Sequence, residues 1–208
     1  YVQDAARGEG LAQFLVDLAM YGPEPGNLEP EPDPVPGLEV YIQGIMDRIR
    51  RREKELHASL LPVWERLDPA AAFMPPGLCH GDFHPINVIW QGKEVAGVID
   101  WEFAGVRPLG YDAANLLGCV GSEHPQALVG PLALAFVRTL GQGGTLLHAH
   151  IPALVHLLPA IRFAWMSEWL RRDDREMVAQ EVAYMQVLQE NAQTLVRAWQ
   201  DQFRTVCS

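Results

Sequence analysis

The sequence predicts a mainly α-helical fold that contains one small β-hairpin. Apolar residues recur every three or four positions over long stretches, most regularly between 174 and 204, which is the spacing of one helical face. Between 87 and 99, two short runs rich in β-branched residues flank the turn sequence Gln91-Gly92-Lys93. This arrangement is typical of two antiparallel strands joined by a tight turn.

Two helical segments are predicted before the hairpin. The segment 10–21 carries apolar residues at a helical spacing, namely Leu11, Phe14, Leu15 and Leu18. A loop at 22–36 with six prolines ends this helix. One apolar helical face then recurs from 38 to 67, where Pro62 is expected to kink or break the helix.

Four helices are predicted after the hairpin, at about 111–120, 125–140, 151–172 and 174–204. The last has the most regular apolar stripe, made of Val178, Val182, Met185, Leu188, Ala192, Leu195, Trp199 and Phe203. A stripe of this kind more often packs into a core or a docking face than binds a ligand.

The residues that indicate chemistry surround the predicted hairpin. His80-Gly81-Asp82-Phe83-His84-Pro85-Ile86-Asn87 precedes it, and Val98-Ile99-Asp100-Trp101-Glu102 closes it. A hairpin would bring Asn87 near Asp100, which lies thirteen positions later. Carboxylate and amide oxygens are the hard ligands that Mg²⁺ prefers. The alternative is an ordinary surface hairpin with polar ends.

The motif matches the protein-kinase pattern H-R-D-x-x-x-x-N followed by D-F-G, except that Gly81 replaces the Arg and Trp101-Glu102 replaces Phe-Gly. This variant resembles the aminoglycoside phosphotransferase and choline kinase-like family, small-molecule kinases that share the protein-kinase fold. The resemblance implies that ATP is the co-substrate, that Asp82 is the catalytic base, and that Asn87 and Asp100 bind Mg²⁺. The replaced Arg and the short segment after Asp100 indicate an enzyme without activation-loop control.

The resemblance also implies two supporting residues. His80 is expected to pack under the catalytic loop. Asp112 is expected to brace the loop through backbone hydrogen bonds, although an Asp at the start of a helix is ordinarily a cap. His80 and His84 also suggest a transition-metal pair, but alternate residues of an extended loop do not easily converge on one ion.

We expect residues 1–208 to form the C-terminal lobe of a protein-kinase-like α+β fold. The catalytic loop would lie at 79–87, the metal-binding end of the hairpin at 98–102, and the C-terminal helices at about 125–204. Related enzymes grip the ATP phosphates with a strand Lys on an N-terminal lobe. The only lysines are Lys54 and Lys93, in a charged helix and in the hairpin turn. We therefore expect that the nucleotide-binding lobe is missing because the sequence is truncated, and not because the protein is a degenerate family member.

The acceptor pocket is expected from the family to lie just after the metal-binding Asp and along the C-terminal helices. This points to Glu102, Trp165, Glu168 and Trp169. Glu102 could meet a cationic substrate or pair with Arg107, and the two tryptophans could simply be core. Relatives phosphorylate aminoglycosides, choline or ethanolamine, homoserine and methylthioribose, and the sequence does not choose among them.

Composition narrows the class of partner and compartment. A net charge of -10 argues against nucleic acid, and no apolar run is long enough to span a membrane. Cys79, Cys119 and Cys207 are scattered without a CxxC pair, which favours a reducing cytoplasm. Two other functions stay open: a bacterial Ser/Thr protein kinase of the same family, and a non-catalytic pseudokinase or scaffold module.

Overall fold

In the computed structural model of the protein, the described residues are 3–24, 37–67 and 74–204. Eight helices occur within them: α1 (Ala5–Tyr21), α2 (Leu38–Arg52), α3 (Lys54–Glu65), α4 (Tyr111–Glu123), α5 (Pro131–Gln142), α6 (Ile151–Arg171), α7 (Arg175–Glu190) and α8 (Ala192–Arg204). The strands are β1 (Pro76–Cys79), β2 (Val88–Gln91), β3 (Glu94–Val98) and β4 (Gly105–Pro108). Most of the proline-rich loop, residues 25–36, lies outside the described residues. The mainly helical fold is confirmed.

The predicted hairpin is confirmed. Strands β2 and β3 pair antiparallel, with Val88 opposite Val98 and Gln91 opposite Glu94. A second antiparallel pair, β1 with β4, was not predicted because both strands are short and rich in Gly and Pro. It places Cys79 opposite Gly105. The two ends of the segment 80–104, which carries the motif, are therefore held together.

The helix boundaries before the hairpin differ from the prediction in two ways. Helix α1 begins at Ala5 rather than Gly10, because the Asp4 carboxylate caps it by accepting from the Arg7 N–H at 2.9 Å. The segment 38–67 breaks at Glu53, whose backbone is not helical, and not at Pro62, which lies inside α3. The break follows three arginines, whose positive charges interact favourably with the negative C-terminal end of the α2 dipole.

Two of the later helices are each divided. The predicted helix at 125–140 becomes a short 3-10 helix, Pro125–Val129, and then α5, because Gly130 is extended before Pro131. The predicted helix at 174–204 divides at Asn191 into α7 and α8. There the Asn191 side-chain amide donates to the Val187 carbonyl at 2.9 Å, in addition to the Asn191 backbone N–H, which donates to the same oxygen at 3.1 Å.

Two apolar clusters share helix α6. The larger one contains the buried faces of α1, α4, α5 and α8, with Trp199 fully buried and its indole N–H donating to the Leu128 carbonyl at 2.8 Å. The smaller one contains α2, α3 and α7. Within the described residues, no helix is both long and apolar enough to cross a membrane.

A buried ion pair joins α6 to α7. The Arg162 guanidinium donates to both carboxylate oxygens of Glu181, and each residue is 3% exposed. The Trp169 indole N–H adds a third donor to Glu181 at 3.3 Å. A bidentate pair of this kind attracts the two helices to each other and also fixes their relative position.

Glu181→Ala should strongly destabilise the protein because it leaves the Arg162 guanidinium buried without its counter-charge. We expect a loss of about 3–5 kcal/mol in the free energy of unfolding, measured by urea denaturation. Glu168→Ala is the matched control, since Glu168 also pairs with arginines but at an exposed site, where ion pairs contribute little. Equal losses in the two variants would contradict this account.

Candidate active site

The Asp112 carboxylate fixes the start of the catalytic loop. Asp112 lies in the first turn of α4 and is 2% exposed. Its two oxygens accept from the His80 N–H at 2.6 Å and from the Gly81 N–H at 2.9 Å. Burial raises the pKa of the carboxyl, and the two backbone donors oppose that rise. These contacts bind the loop to α4 rather than capping the helix.

His80 connects the catalytic loop to the end of β3. Its ring is fully buried, accepts from the Asp82 N–H at Nδ1 (3.2 Å) and lies 3.0 Å from the Ile99 carbonyl at Nε2. These partners require a neutral ring with its proton on Nε2. The Trp101 ring contacts the His80 ring in a T-shaped arrangement, with the ring centroids 4.6 Å apart. His80 therefore supports the loop, and both of its ring nitrogens have hydrogen-bond partners, so neither is available to a metal site shared with His84.

Gly81 holds a conformation and a position that no other residue fits. Its φ is +84°, and a Cβ there would lie 2.0 Å from the Phe103 carbonyl oxygen. The segment that follows Asp100 thus packs directly against the loop backbone. The sequence showed that Gly81 replaces an Arg but gave no sign of this close approach.

Asp82 is half-buried and is held by three side chains. Its Oδ2 lies 3.2 Å from the Asn87 amide nitrogen and 3.3 Å from His84 Nε2, and its Oδ1 lies 3.5 Å from the Asn115 amide nitrogen. Burial raises the pKa of the carboxyl, but hydrogen bonds from these partners outweigh it, so the pKa lies below its usual value. Asp82 is therefore a carboxylate at neutral pH.

Asn87 and Asp100 occupy the two ends of the hairpin. The Asn87 side-chain nitrogen also donates to the Asp82 carbonyl at 2.9 Å, so the amide oxygen is the atom left to bind a cation. The Ile99 N–H donates to the Asn87 carbonyl at 3.0 Å, which brings the chain just before Asp100 beside Asn87. Asp100 is exposed and has a φ of 70°, an unusual backbone for a residue other than Gly. An amide oxygen and a free carboxylate at adjacent chain ends fit a magnesium ion.

Two residues near Asp82 were not predicted as functional. The sequence gave His84 no role, yet it contacts the Asp82 carboxylate and is itself 8% exposed. Asn115 was not considered, although its spacing offered a signal. It follows Asp112 by three positions and so faces the same side of α4 as the residue that braces the loop.

The predicted acceptor residues lie in different surroundings. Trp165 packs its ring 5.5 Å from that of His84 and donates its indole N–H to the Asn115 amide oxygen at 3.2 Å, next to Asp82. Trp169 is turned toward Glu181 instead. Glu102 is exposed in the short turn after Asp100, and Arg107 donates to the Phe103 carbonyl at 2.8 Å.

Glu168 belongs to a charged groove between α2 and α6. Its carboxylate accepts from Arg171 and Arg172, and these hydrogen bonds lower its pKa to about 2. The groove has a volume of about 490 Å³, and its charged lining consists of Arg48, Arg52, Glu53, Glu168 and Arg171. Glu168 is thus already neutralised by its neighbours.

Cys79 is a packing residue. It is 2% exposed, and burial raises the pKa of its thiol. A thiol of this kind is a poor nucleophile at neutral pH.

A helical lobe that carries Asp82 and Asn87 on a loop bound to α4, with Asp100 at the end of the adjoining hairpin, has the fold of the C-terminal lobe of a protein-kinase-like phosphotransferase. The closer relationship follows from comparison with known proteins. Residues 2–150 match the model of the phosphotransferase enzyme family (APH), and the chain belongs to that family.

Individual relatives agree with this assignment. The chain is 28% identical to a homoserine kinase of Bradyrhizobium sp. (strain ORS 278) over 166 residues, which are 77% of this chain and 51% of that protein. The chain thus spans about half the length of this curated relative, and it covers 31% and 42% of two others.

Solved structures show the same fold. A choline/ethanolamine kinase family protein from Mesorhizobium loti superimposes with a TM-score of 0.65 at 17% identity, over 93% of this chain and 66% of that one. The GDP complex of an aminoglycoside 2'-phosphotransferase-IIIa mutant gives 0.59 at 17% identity, over 90% and 62%.

Gly81→Ala should distort the catalytic loop, because the new Cβ overlaps the Phe103 carbonyl as well as straining the backbone. Gly92→Ala is the matched control: its φ is +65°, but nothing lies within 4 Å of the new Cβ. We expect a loss of about 1–2 kcal/mol in the free energy of unfolding for Gly92→Ala, from backbone strain alone, and a clearly larger loss for Gly81→Ala. Urea denaturation of both variants measures the difference, and similar losses would show that the close approach is unimportant.

Proposed function

We propose that the protein is an ATP- and Mg²⁺-dependent phosphotransferase that moves the γ-phosphate of ATP to the hydroxyl of a small molecule. The observation that carries this proposal is the ionised Asp82 carboxylate, bonded to the Asn87 amide beside Asp100. Phosphoryl transfer needs the acceptor hydroxyl placed in line and the phosphate charge neutralised. The three side chains divide these tasks.

Asp82 orients the acceptor. Because the pKa of its carboxyl is held below its usual value, Asp82 accepts a hydrogen bond from the hydroxyl rather than donating one. The proton moves to the carboxylate as the new oxygen–phosphorus bond forms, and the bond between the γ-phosphorus and the ADP oxygen breaks. A base with a low pKa is sufficient, because positioning provides most of the rate enhancement in this chemistry.

The Asn87 amide oxygen and the Asp100 carboxylate would hold the magnesium. When bound, the metal neutralises negative charge on the phosphates. Asp100 follows β3 with a left-handed (αL) backbone. This conformation is strained for a residue other than glycine, and such strain is often found at functional sites.

The nucleotide base would rest on an apolar surface of the hairpin. Ile89 and Ile99 are 49% and 48% exposed; Ile99 directly precedes Asp100, and Ile89 lies two residues after Asn87. We propose that the full-length protein also has an N-terminal lobe that covers this surface and supplies the phosphate-binding Lys. The partial coverage of the longer fold neighbours supports this, and one of them binds GDP.

Homoserine is the first acceptor to test, since the curated relatives are named homoserine kinases. Its ammonium could pair with the exposed Glu102 carboxylate, two residues after Asp100. An aminoglycoside, choline and ethanolamine complete the panel. The net charge of -10 favours a small acceptor over nucleic acid, and the scattered cysteines support a cytoplasmic location.

Asp82→Ala in the full-length protein should lower kcat by roughly 100-fold or more, because the hydroxyl loses its acceptor. Nucleotide affinity, measured by calorimetry with Mg-ATP, should stay close to that of the unchanged protein, because Asp82 is not proposed to touch the nucleotide or the metal. Unchanged turnover would overturn the mechanism.

Asp100→Ala should instead weaken Mg-ATP binding in the same titration, because a charged metal ligand is lost. A titration without magnesium is the control, and there the substitution should have little effect. Magnesium-independent ATP binding with no turnover on any acceptor would favour the scaffold alternative, and transfer to protein alone would favour a protein kinase.

A further inference from the structure

We infer that Asn115 is a positioning residue for Asp82 and that the Trp165 indole sets the orientation of the Asn115 amide. The inference rests on the proposed function, in which Asp82 is the base. It assigns a task to a side chain on helix α4 that lies outside the catalytic-loop motif. Four side chains form a closed ring of contacts: Asp82, Asn115, Trp165 and His84.

The two oxygens of Asp82 are held from different parts of the fold. Oδ2 is held within the catalytic loop, by the Asn87 amide and by His84. Oδ1 is held from α4, by the Asn115 amide nitrogen at 3.5 Å. Turning about the Cβ–Cγ bond moves both oxygens together, and this torsion has a broad preference of its own. The second contact fixes the plane of the carboxylate.

The Asn115 amide can donate to Asp82 in only one of its two orientations. In the observed one, Nδ2 faces the Asp82 carboxylate and Oδ1 accepts from the Trp165 indole N–H at 3.2 Å. A flipped amide would set its oxygen against a carboxylate oxygen and its NH₂ against an indole N–H. Because the indole is a donor only, it selects the orientation that Asp82 needs. Asn115 is 3% exposed, so water does not readily replace either partner.

The Trp165 ring is in turn fixed by the buried ion pair between α6 and α7. The Arg162 guanidinium lies 5.2 Å from the ring centroid, and its position is set by Glu181. The ring also contacts His84, with the two ring centroids 5.5 Å apart. The orientation of the Asp82 carboxylate therefore depends on tertiary packing more than thirty residues away in sequence.

Substitutions at Asn115 separate a donor from a merely space-filling residue. Asn115→Ala removes the donor and should lower kcat by roughly 10- to 100-fold, with the KM for ATP unchanged. Asn115→Leu keeps a similar volume without the donor. It should lower kcat as much as the alanine variant if Asn115 positions Asp82, and much less if Asn115 only fills space. Asn115→Asp places a second carboxylate against Asp82 and should lower kcat if the two side chains are in contact.

Trp165→Phe tests the indole N–H separately. The ring stays to pack against His84, but the amide loses the group that orients it, so we expect kcat to fall about tenfold. Trp199→Phe is the matched control, since Trp199 is also buried and donates its indole N–H, in that case to the Leu128 carbonyl. It should lower stability without lowering kcat. Should Asn115→Ala fail to fold, Trp165→Phe decides.

The assays use the full-length protein and the acceptor it phosphorylates, with Asp82→Ala measured alongside. If Asp82→Ala abolishes turnover while Asn115→Asp and Trp165→Phe leave kcat unchanged, the positioning relay is wrong and the proposed base stands. If Asp82→Ala stays active, the proposed function itself fails. A fall in kcat equal for Trp165→Phe and Trp199→Phe would also overturn the relay, because it would reflect general destabilisation.

Discussion

The rest of the site depends on one interaction, the buried Asp112 carboxylate accepting from two successive backbone N–H groups of the catalytic loop. Burying a carboxyl group is costly unless donors compensate it, and the hydrogen bonds from the His80 and Gly81 N–H groups offset part of that cost. The same two bonds fix the loop at Gly81, where only glycine fits beside Phe103. Asp82 comes next in the chain, so its position follows from a contact that it does not itself make.

A second constraint comes from helix α6, which belongs to both apolar clusters and carries Arg162 and Trp165 one turn apart. Arg162 is locked to Glu181 on α7, while the Trp165 indole reaches Asn115 on α4. The Asp82 carboxylate is thus held by residues of its own loop and by Asn115 of the helical core. A functional site with its supporting residues on rigid elements can hold a narrow geometry.

The residues fall into groups with separate tasks. Asp112 and His80 set the loop backbone, Asn115 and His84 contact the Asp82 carboxylate, and the two ends of the hairpin offer oxygen atoms to a cation. The two acidic residues predicted near the acceptor differ in their surroundings. Glu168 is neutralised by Arg171 and Arg172, whereas Glu102 is exposed. Of the two acidic residues, Glu102 is therefore the better partner for a cationic group on a substrate.

The sequence by itself determined the hairpin, most of the helices and the family, because these depend on local periodicity, turn residues and a motif of fixed spacing. The helical periodicity of the sequence misplaced the break in 38–67 and missed the breaks at 130 and 191. Each break depends on the backbone conformation of one residue, such as the glycine before Pro131, and the apolar period continues across it. Only the tertiary structure decided that β1 pairs with β4, that Gly81 meets Phe103, and that Asn115 reaches Asp82. Each of these joins segments far apart in the chain, and such a contact has no local period from which the partner could be predicted. The spacing of Asn115 from Asp112 indicated only the side of α4 on which Asn115 lies.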